Sequence, residues 1–241
     1  MSNRLIIVIP AYNEAANIEA LVGEWHPVVQ RVDPTAKLVV VDDGSTDQTY
    51  QLLQQLTESG DFPRLTALTK ANSGHGSTLL FAYRWALEQG ADYIFQTDSD
   101  RQTLPEEFGD FWAGRDQVDA TIGWRKQRQD GASRVAVTKV LKWSVAVVFR
   151  KIIPDANCPF RLVKSEALAM ALRHIPDNYN LTNVLVSVRL VQMGKTVAYR
   201  PITFRPRQGG VNSINLPRIT RIGLKAVRDF TRLRRPKGQS N

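Results

Sequence analysis

The chain has 241 residues and a net charge of +9, with 43% apolar and 23% charged residues, a composition that excludes disordered and collagen-like chains. A single cysteine, Cys158, cannot form an internal disulfide, which argues against a small secreted scaffold. No apolar run approaches the roughly 20 residues that span a bilayer. We therefore expect a cytoplasmic protein, either soluble or held peripherally on the cytoplasmic face of a membrane.

Short apolar runs alternate with helical patterns over the first half of the chain. Asn13 and Ser45 each stand where a helix cap is expected, and a third helix is expected to begin near Gly76. This alternation predicts an α/β fold with a doubly wound, mostly parallel sheet. The expected strands are Leu5–Ile9, Leu38–Val41, Leu65–Leu68, Tyr93–Gln96 and Ala120–Gly123.

The second half of the chain reads as helical. Apolar residues from Val137 to Val148 recur at helical spacing, and prolines and glycines between 201 and 210 interrupt the chain before a last helix at about 217–233.

Polar segments follow four of the expected strands. In a doubly wound sheet, ligands bind at the carboxyl ends of the strands, so these segments are expected to meet at one crevice. They are 10–14 (Pro-Ala-Tyr-Asn-Glu), 42–45 (Asp-Asp-Gly-Ser), 72–76 (Asn-Ser-Gly-His-Gly) and 98–102 (Asp-Ser-Asp-Arg-Gln).

The last of these segments is suited to a divalent cation. Asp98 and Asp100 lie one residue apart on a turn, and Gln102 adds a neutral oxygen. Mg²⁺ and Mn²⁺ prefer oxygen ligands and share such sites with phosphate oxygens. The alternative is an ordinary solvated turn, but the neighbouring segments favour the metal site.

Two further segments are suited to a nucleotide. Asp42 or Asp43 can accept a hydrogen bond from a base or a ribose, and the alternative is a turn in which Ser45 and Asp47 are structural. The 72–76 segment opens a helix, whose amide groups suit a phosphate, and an ordinary helix entry is equally compatible. His75 within it is interpreted as a partly exposed loop residue.

The four segments, in this order and at these intervals, resemble the family 2 inverting glycosyltransferases over about residues 4–126. In the second half, Gly123-Trp124-Arg125, Arg134 with Thr138, Phe160-Arg161-Leu162 and Arg207-Gln-Gly-Gly are similar to the dolichol-phosphate mannose synthase branch. That branch transfers a sugar to a polyprenyl phosphate.

The resemblance implies a GT-A fold, a UDP- or GDP-hexose donor and a hexosyltransferase activity assisted by Mg²⁺ or Mn²⁺. It implies a catalytic domain over 1–215, with a nucleotide-binding part at 1–126 and an acceptor-binding part at 127–215, followed by a basic helix and tail at 216–241. Residues implied at the donor are Pro10, Tyr12, Glu14, Asp42, Asp43, Asn72, Gly74, Asp98 and Ser99. Those implied at the metal are Asp98, Asp100 and Gln102, and those at the acceptor are Arg125, Arg134, Thr138 and Arg207, the last on a mobile loop.

The acceptor class determines whether a base is needed. A sugar hydroxyl needs a general base, whereas a phosphate monoester already carries an anionic oxygen and needs cations to hold it. The resemblance implies catalytic roles for Asp98, Asp100 and Arg125, and Asp155 is added as a catalytic candidate. Asp155 is the candidate base if one is required, and otherwise a cap or a partner of Arg161. A soluble hydroxyl acceptor and a non-catalytic nucleotide-binding adaptor are the two alternatives.

The C-terminal part is strongly basic. From residue 200 onwards there are 11 Lys and Arg against one acid, Asp229. The expected last helix combines an apolar stripe with a basic stripe, a pattern typical of helices that lie on membranes, and the alternative is that the stripe packs on the core. Nucleic acid is not an expected partner, because no reading motif is present. The oligomeric state is not predicted.

Overall fold

The computed structural model describes residues 3–125, 132–173, 175–205 and 227–232, with side chains left out at 132–139 and 141. The strands are β1 Leu5–Ala11, β2 Lys37–Asp42, β3 Leu65–Thr69, β4 Tyr93–Gln96, β5 Ala120–Trp124, β6 Arg161–Lys164 and β7 Val197–Pro201. The helices are α1 Ile18–Val32, α2 Thr49–Glu58, α3 His75–Glu88, α4 Phe108–Ala113, α5 Ala132–Phe149, α6 Ser165–Leu172 and α7 Thr182–Gln192, and residues 227–232 are also helical.

The seven strands form one sheet in the order β3-β2-β1-β4-β6-β5-β7. β1 pairs in parallel with β2 and β4, and β2 pairs in parallel with β3. β6 runs antiparallel to both β4 and β5, while β5 and β7 are parallel. The α/β fold with a mostly parallel sheet is thus confirmed.

The apolar runs of the first half become strands because both faces of the sheet are covered. In β1, Ile6 and Val8 lie in one hydrophobic cluster, and Leu5, Ile7 and Ile9 lie in the cluster on the opposite face. All five are fully buried. A strand buried on both faces reads as a continuous apolar run, which is the pattern that predicted it.

The pattern after about residue 130 was interpreted as helical, and this missed two strands, β6 and β7, which complete the sheet. β6 has four residues and begins with Arg161, whose side chain is fully buried. In so short a strand, one charged residue is enough to interrupt the apolar pattern by which a buried strand is predicted. β7 ends at Pro201, and its position at the sheet edge tolerates both the proline and its partial exposure.

The expected caps at Asn13 and Ser45 were also wrong. α1 begins at Ile18 and α2 at Thr49, well after both residues. Ser45 Oγ instead accepts a hydrogen bond from the amide of Asn13 at 2.9 Å, and Asn13 Oδ1 accepts one from the amide of Thr46 at 2.9 Å. The two side chains therefore join the loop after β1 to the loop after β2.

The helical segment 227–232 packs against the core. Phe230 is fully buried, and its ring centroid lies 5.5 Å from that of Phe149 at the end of α5. Residues 217–226 and 233 of the expected last helix lie outside the described residues. Within the described part of the chain, no helix is both long and apolar enough to cross a membrane.

The start of α3 lies unusually close to the segment that precedes α7. A Cβ atom at Gly76 would stand 2.1 Å from the carbonyl oxygen of Tyr179 and 2.5 Å from the carbonyl carbon of Asn180. Glycine is therefore required where the two backbones meet. Thr182 Oγ1 fixes the same contact by donating a hydrogen bond to the Gly76 carbonyl at 2.8 Å.

We expect Gly76→Ala to lower the free energy of unfolding by about 1–3 kcal/mol, because backbone atoms must move to admit the methyl group. For a chain of this size, each kcal/mol lowers Tm by about 2–4 °C. Gly23→Ala is the matched control, since Gly23 is an exposed position in α1 with nothing within 4 Å of its Cβ. Thermal unfolding should show an unchanged or higher Tm for Gly23→Ala. An unchanged Tm for Gly76→Ala would contradict the close approach.

Candidate active site

An open cleft of 310 Å³ lies at the carboxyl ends of the parallel strands. All four polar segments contribute to its wall, so the convergence expected from the sequence occurs. The lining residues are Pro10, Ala11, Tyr12, Glu14, Asp43, Asn72, Gly74, His75, Thr78, Asp98, Ser99 and Asp100.

The Asp98–Asp100 turn extends β4 into the cleft. The backbone amide of Gln102 donates a hydrogen bond to Asp100 Oδ1 at 3.2 Å, which closes the turn. Arg101, between them, has a positive φ of 55°, a conformation that L residues adopt rarely. Its guanidinium forms an ion pair with Glu24 of α1, and this partner raises the pKa of Arg101. The turn is therefore attached to α1 on the side away from the cleft.

A buried chain of polar side chains supports Asp98 from below. Gln96 Nε2 donates to Asp98 Oδ1 at 3.0 Å, and Asn183 Nδ2 of α7 donates to Gln96 Oε1 at 3.0 Å. Tyr83 of α3 in turn donates its hydroxyl to Asn183 Oδ1 at 3.0 Å. Burial raises the pKa of Tyr83, so its hydroxyl stays protonated and remains a donor. The carboxylate of Asp98 is thus oriented by three elements of the fold.

Asp43 organises the loop between β3 and α3. Its Oδ1 receives the Lys70 ammonium at 2.5 Å and the amide of Ser73 at 3.0 Å, and its Oδ2 receives the amide of Gly74 at 2.8 Å. Burial alone would raise the pKa of Asp43, but the hydrogen bond from Lys70 and the amide of Ser73 outweigh it and lower that pKa. Asp43 thus holds the 72–74 loop in place at the cleft.

Asp42, the residue before it, faces away from the cleft. It is 1% exposed, and its carboxylate accepts hydrogen bonds from the amide of Ser45 and the hydroxyl of Thr69. Of the two acids weighed for the nucleotide, the structure brings only Asp43 to the cleft wall and gives Asp42 contacts that hold the turn.

Gln102 lies behind the cleft wall. Its side-chain amide donates to the carbonyl of Arg205 at 2.7 Å, and its Oε1 is buried without a hydrogen-bond partner among the described residues. The side chain thus connects the Asp98–Asp100 turn to the segment after β7 and leaves one oxygen unused.

Arg125 and Asp155 form a buried bidentate ion pair. Arg125 Nε lies 2.7 Å from Asp155 Oδ2, and Nη2 lies 2.8 Å from Oδ1. Burial alone would lower the pKa of Arg125, but Asp155 outweighs it and the pKa is raised, so the guanidinium stays charged. The partner of Asp155 is therefore Arg125, while Arg161 bonds to backbone carbonyls, including those of Cys158 and Asn183.

The remaining acceptor residues are described in part or not at all. Arg134 and Thr138 fall on the first turns of α5, where the backbone alone is described. Arg207 lies outside the described residues. Their implied roles stay predictions.

His75, interpreted from the sequence as a partly exposed loop residue, is exposed but is the first residue of α3, and its Nε2 lies 3.7 Å from Asp98 Oδ1. Sequence reasoning missed one polar member of the cleft wall and one supporting residue. The first is Thr78, one turn after His75, which lines the cleft. Lys70 became identifiable only through Asp43, since the two are 27 residues apart. The spacing of Thr78 from Gly74 on one helix face was the signal available in the sequence.

Residues 6–173 match the family described as Glycosyl transferase family 2. The chain belongs to this family. Undecaprenyl-phosphate mannosyltransferase of Micrococcus luteus is 26% identical over 239 residues, covering 92% of this chain and 95% of that protein. Polyprenol monophosphomannose synthase of Mycolicibacterium smegmatis is 26% identical over 222 residues, covering 89% and 82%. This glycosyltransferase family is inverting, and the chain is accordingly a glycosyltransferase.

Solved structures share the fold of this chain. Glucosyl-3-phosphoglycerate synthase from Mycobacterium tuberculosis, in complex with phosphoglyceric acid, superposes with a TM-score of 0.69 at 16% identity, covering 96% of this chain and 80% of that one. The same enzyme with Mn²⁺ and UDP-glucose gives a TM-score of 0.68 at 16% identity, covering 96% and 79%. At this identity the likeness concerns the fold.

Because of the ion pair of Asp43 with Lys70, we expect the free energy of unfolding to fall at acid pH. Because the folded-state pKa of Asp43 lies below the unfolded-state value of about 3.9, the unfolded chain takes up the proton first. The stability that the carboxylate contributes is therefore complete well above pH 4 and is lost as the pH falls through the folded-state pKa. Asp43→Asn should lower the free energy of unfolding at pH 7 by about 1.5–3 kcal/mol and flatten the decline below pH 4.

Chemical denaturation from pH 7 to pH 3 measures both effects. Asp61→Asn is the matched control, since Asp61 is exposed and lies away from the cleft. Parallel pH profiles for the wild type and Asp43→Asn would show that the Asp43 contacts do not stabilise the folded chain.

Proposed function

We propose that this chain transfers a hexose from a UDP- or GDP-linked donor to a polyprenyl phosphate, with inversion at the anomeric carbon and with the assistance of Mg²⁺ or Mn²⁺. The observation that carries the proposal is the meeting of Asp43, Asp98 and Asp100 with the N-terminus of α3 around one cleft. Acidic oxygens and the amides at the start of a helix together suit a pyrophosphate held by a cation.

The nucleotide is assigned to the side of the cleft formed by the first two loops. The ring of Tyr12 is 46% exposed and lines the cleft, so it offers a face for a base. Pro10 and Glu14 complete that wall. Asp43 either accepts a hydrogen bond from the nucleotide or orders the 72–74 loop that contacts the nucleotide. Asn72, Gly74 and the first amides of α3 face the phosphates, where the helix dipole stabilises negative charge.

The residues present fit a divalent cation of the magnesium class. Asp98 and Asp100 present carboxylates to the same cleft, with Ser99 between them. Among the described residues no group of three or more His, Cys, Asp or Glu side chains forms a ligand set. Mg²⁺ characteristically binds through one or two carboxylates together with substrate phosphates and water, so two carboxylates suffice. Gln102, the third ligand suggested by the sequence, lies behind the cleft wall, so the proposed ligands are the two carboxylates and Gln102 supports the turn that carries them.

A bound cation would supply charge neutralisation to the departing diphosphate. The chain's own residues orient the reaction. Asp98 is held by Gln96 and the network beneath it, and the amides at the start of α3 stabilise the charge that grows on the leaving nucleotide. The acceptor oxygen attacks the anomeric carbon from the face opposite the leaving group, and the configuration inverts.

A phosphate acceptor is favoured over a hydroxyl acceptor by the state of Asp155. Both of its oxygens are bonded to Arg125, so the carboxylate that sequence analysis put forward as a base is occupied. A phosphate oxygen is anionic and needs none. Arg134, Thr138 and Arg207 are proposed to hold that phosphate, and Arg125, paired with Asp155, to lie on the acceptor side with them. The names of the two relatives from Micrococcus luteus and Mycolicibacterium smegmatis support the same acceptor class.

We propose that the chain works at the cytoplasmic face of a membrane, where a polyprenyl phosphate is held. The surplus of bases after residue 200 supports a peripheral attachment, since each base near an anionic leaflet contributes about 1 kcal/mol.

Asp100→Asn should reduce turnover by about 10²–10³-fold, because the cation loses a charged ligand next to the leaving group. It should also lose the rise in Tm that Mn²⁺ with UDP or GDP gives the wild type, a rise expected because a ligand of the folded state stabilises it. Asp110→Asn, at an exposed position in α4, is the control for both measurements. Near-normal turnover in Asp100→Asn would remove the metal role.

Product analysis tests the acceptor. With a radiolabelled donor and polyprenyl phosphate, we expect label in a butanol-extractable product that mild acid hydrolyses. Label that stays water-soluble would support a hydroxyl acceptor instead. Absence of nucleoside diphosphate release under all conditions would support the non-catalytic adaptor.

Arg134→Ala should raise the KM for the polyprenyl phosphate by about tenfold or more, the loss of a hydrogen bond to a charged group, with little effect on the KM for the donor. Steady-state kinetics with each substrate varied in turn measures both constants. Arg31→Ala, an exposed arginine of α1, serves as the control. Equal changes in both constants would contradict the assignment.

A further inference from the structure

α5 has an apolar face on each side. Its inner face carries Val145, Val148 and Phe149, which are at most 7% exposed and belong to the core. Its outer face presents Trp143 at 70% and Val147 at 71% exposure, four residues apart and therefore neighbours on one side of the helix. Ile152, 81% exposed, follows three residues after the helix ends. We call Trp143, Val147 and Ile152 the outer face of α5.

These three residues are among the most exposed large apolar side chains that the structure describes. Single exposed apolar residues are ordinary, but several together mark an interaction surface. A tryptophan at 70% exposure is the least expected of them, because its large ring is usually covered. The outer face of α5 is therefore a surface suited to a partner.

The charge around this face identifies the partner. Of the residues from 132 to 153, five are basic and none is acidic. Lys142, Arg150 and Lys151 are exposed beside the outer face. The helical segment 227–232, which contacts the end of α5 through Phe230 and Phe149, also carries the exposed Arg228 and Arg232.

We infer that the outer face of α5 docks on an anionic lipid bilayer. Tryptophan favours the boundary between headgroups and acyl chains, and the flanking bases meet the negative leaflet. Exposed apolar residues with bases next to them in a helix are the pattern of a helix that lies in a membrane interface. A protein partner of acidic surface or a second copy of this chain would be the competing occupants.

The inference rests on the proposed function and deepens it, because a polyprenyl phosphate is held in a membrane. α5 also carries Arg134 in its first turn, about 13.5 Å along the helix from Trp143 at 1.5 Å per residue. Docking through the C-terminal half of α5 would bring the proposed acceptor residues close to the lipid headgroups.

The test compares Trp143→Ser/Val147→Ser with the wild type in sedimentation with two kinds of vesicle. One contains phosphatidylglycerol and phosphatidylcholine in equal parts, and the other contains phosphatidylcholine alone. We expect the wild type to bind the anionic vesicles and the double variant to bind them at least tenfold more weakly. Phe81→Ser is the matched control, since Phe81 is an exposed aromatic on α3 away from this face. Wild-type binding by the double variant would overturn the inference.

Two further measurements test the role of the bases and the oligomeric state of the chain. Lys142→Glu/Lys151→Glu should also lose vesicle binding without any change in the apolar residues, and retained binding would overturn the role of charge. Sedimentation velocity without lipid should give the same mass for the wild type and the Trp143→Ser/Val147→Ser variant. A dimer that becomes a monomer in the variant would assign the face to a second copy and overturn docking on lipid.

Activity separates this inference from the proposed function. With a short, water-soluble isoprenyl phosphate, the Trp143→Ser/Val147→Ser variant should match the wild type, and with a long polyprenyl phosphate in anionic vesicles it should be at least tenfold slower. Equal rates in vesicles would overturn the inference. If the wild type binds vesicles through this face but transfers no sugar to either acceptor, the proposed function fails while the docking surface stands.

Discussion

The parallel pairing of β1 with β2 and β4 is the constraint on which the rest of this molecule depends. Parallel strands present their carboxyl ends at the same edge, so residues nearly ninety positions apart in the chain, such as Pro10 and Asp98, line one cleft. Without that alignment, the loop held by Asp43 and the Asp98–Asp100 turn would not lie at the same cleft. The buried apolar residues of these strands stabilise the alignment, and the chemistry uses the loops that follow.

The cleft is supported by polar contacts that run into the core. Asn183 and Tyr83 connect α7 and α3 to Gln96, and Gln96 orients Asp98. In a buried hydrogen-bond chain of this kind, an unpaired member lowers the stability of the fold. When every member is paired, the chain holds its side chains rigidly. The position of the Asp98 carboxylate in the cleft is therefore determined by buried side chains of β4, α3 and α7.

The sequence was sufficient for the parallel half of the fold and for most of the cleft wall, and the reason is local. Strands buried on both faces appear as continuous apolar runs, and the polar segments directly follow them. The failures concern partners that are distant in sequence. Asn13 and Ser45 have the residue types of caps, yet their hydrogen bonds join two loops that only the sheet brings together. The ion-pair partner of Asp155 is Arg125 and not Arg161, and only the positions of these residues in space distinguish the two.

β6 illustrates a different limit. Its Arg161 is fully buried and satisfied by backbone carbonyls of the neighbouring loop and of α7, so a charged residue occupies a position that periodicity reserves for an apolar one. Propensity and hydrophobic pattern cannot identify such a strand, because its stability comes from acceptors supplied by other segments.

The burial of Phe230 has a practical consequence for work with this protein. Its ring fills space beside Phe149, so the basic end of the chain is also a piece of the core. Shortening the chain before residue 227 would open a cavity next to α5 in addition to removing positive charge. Truncated forms would therefore mix a packing defect with an altered affinity for anions, and point substitutions at exposed positions are the cleaner way to separate the two.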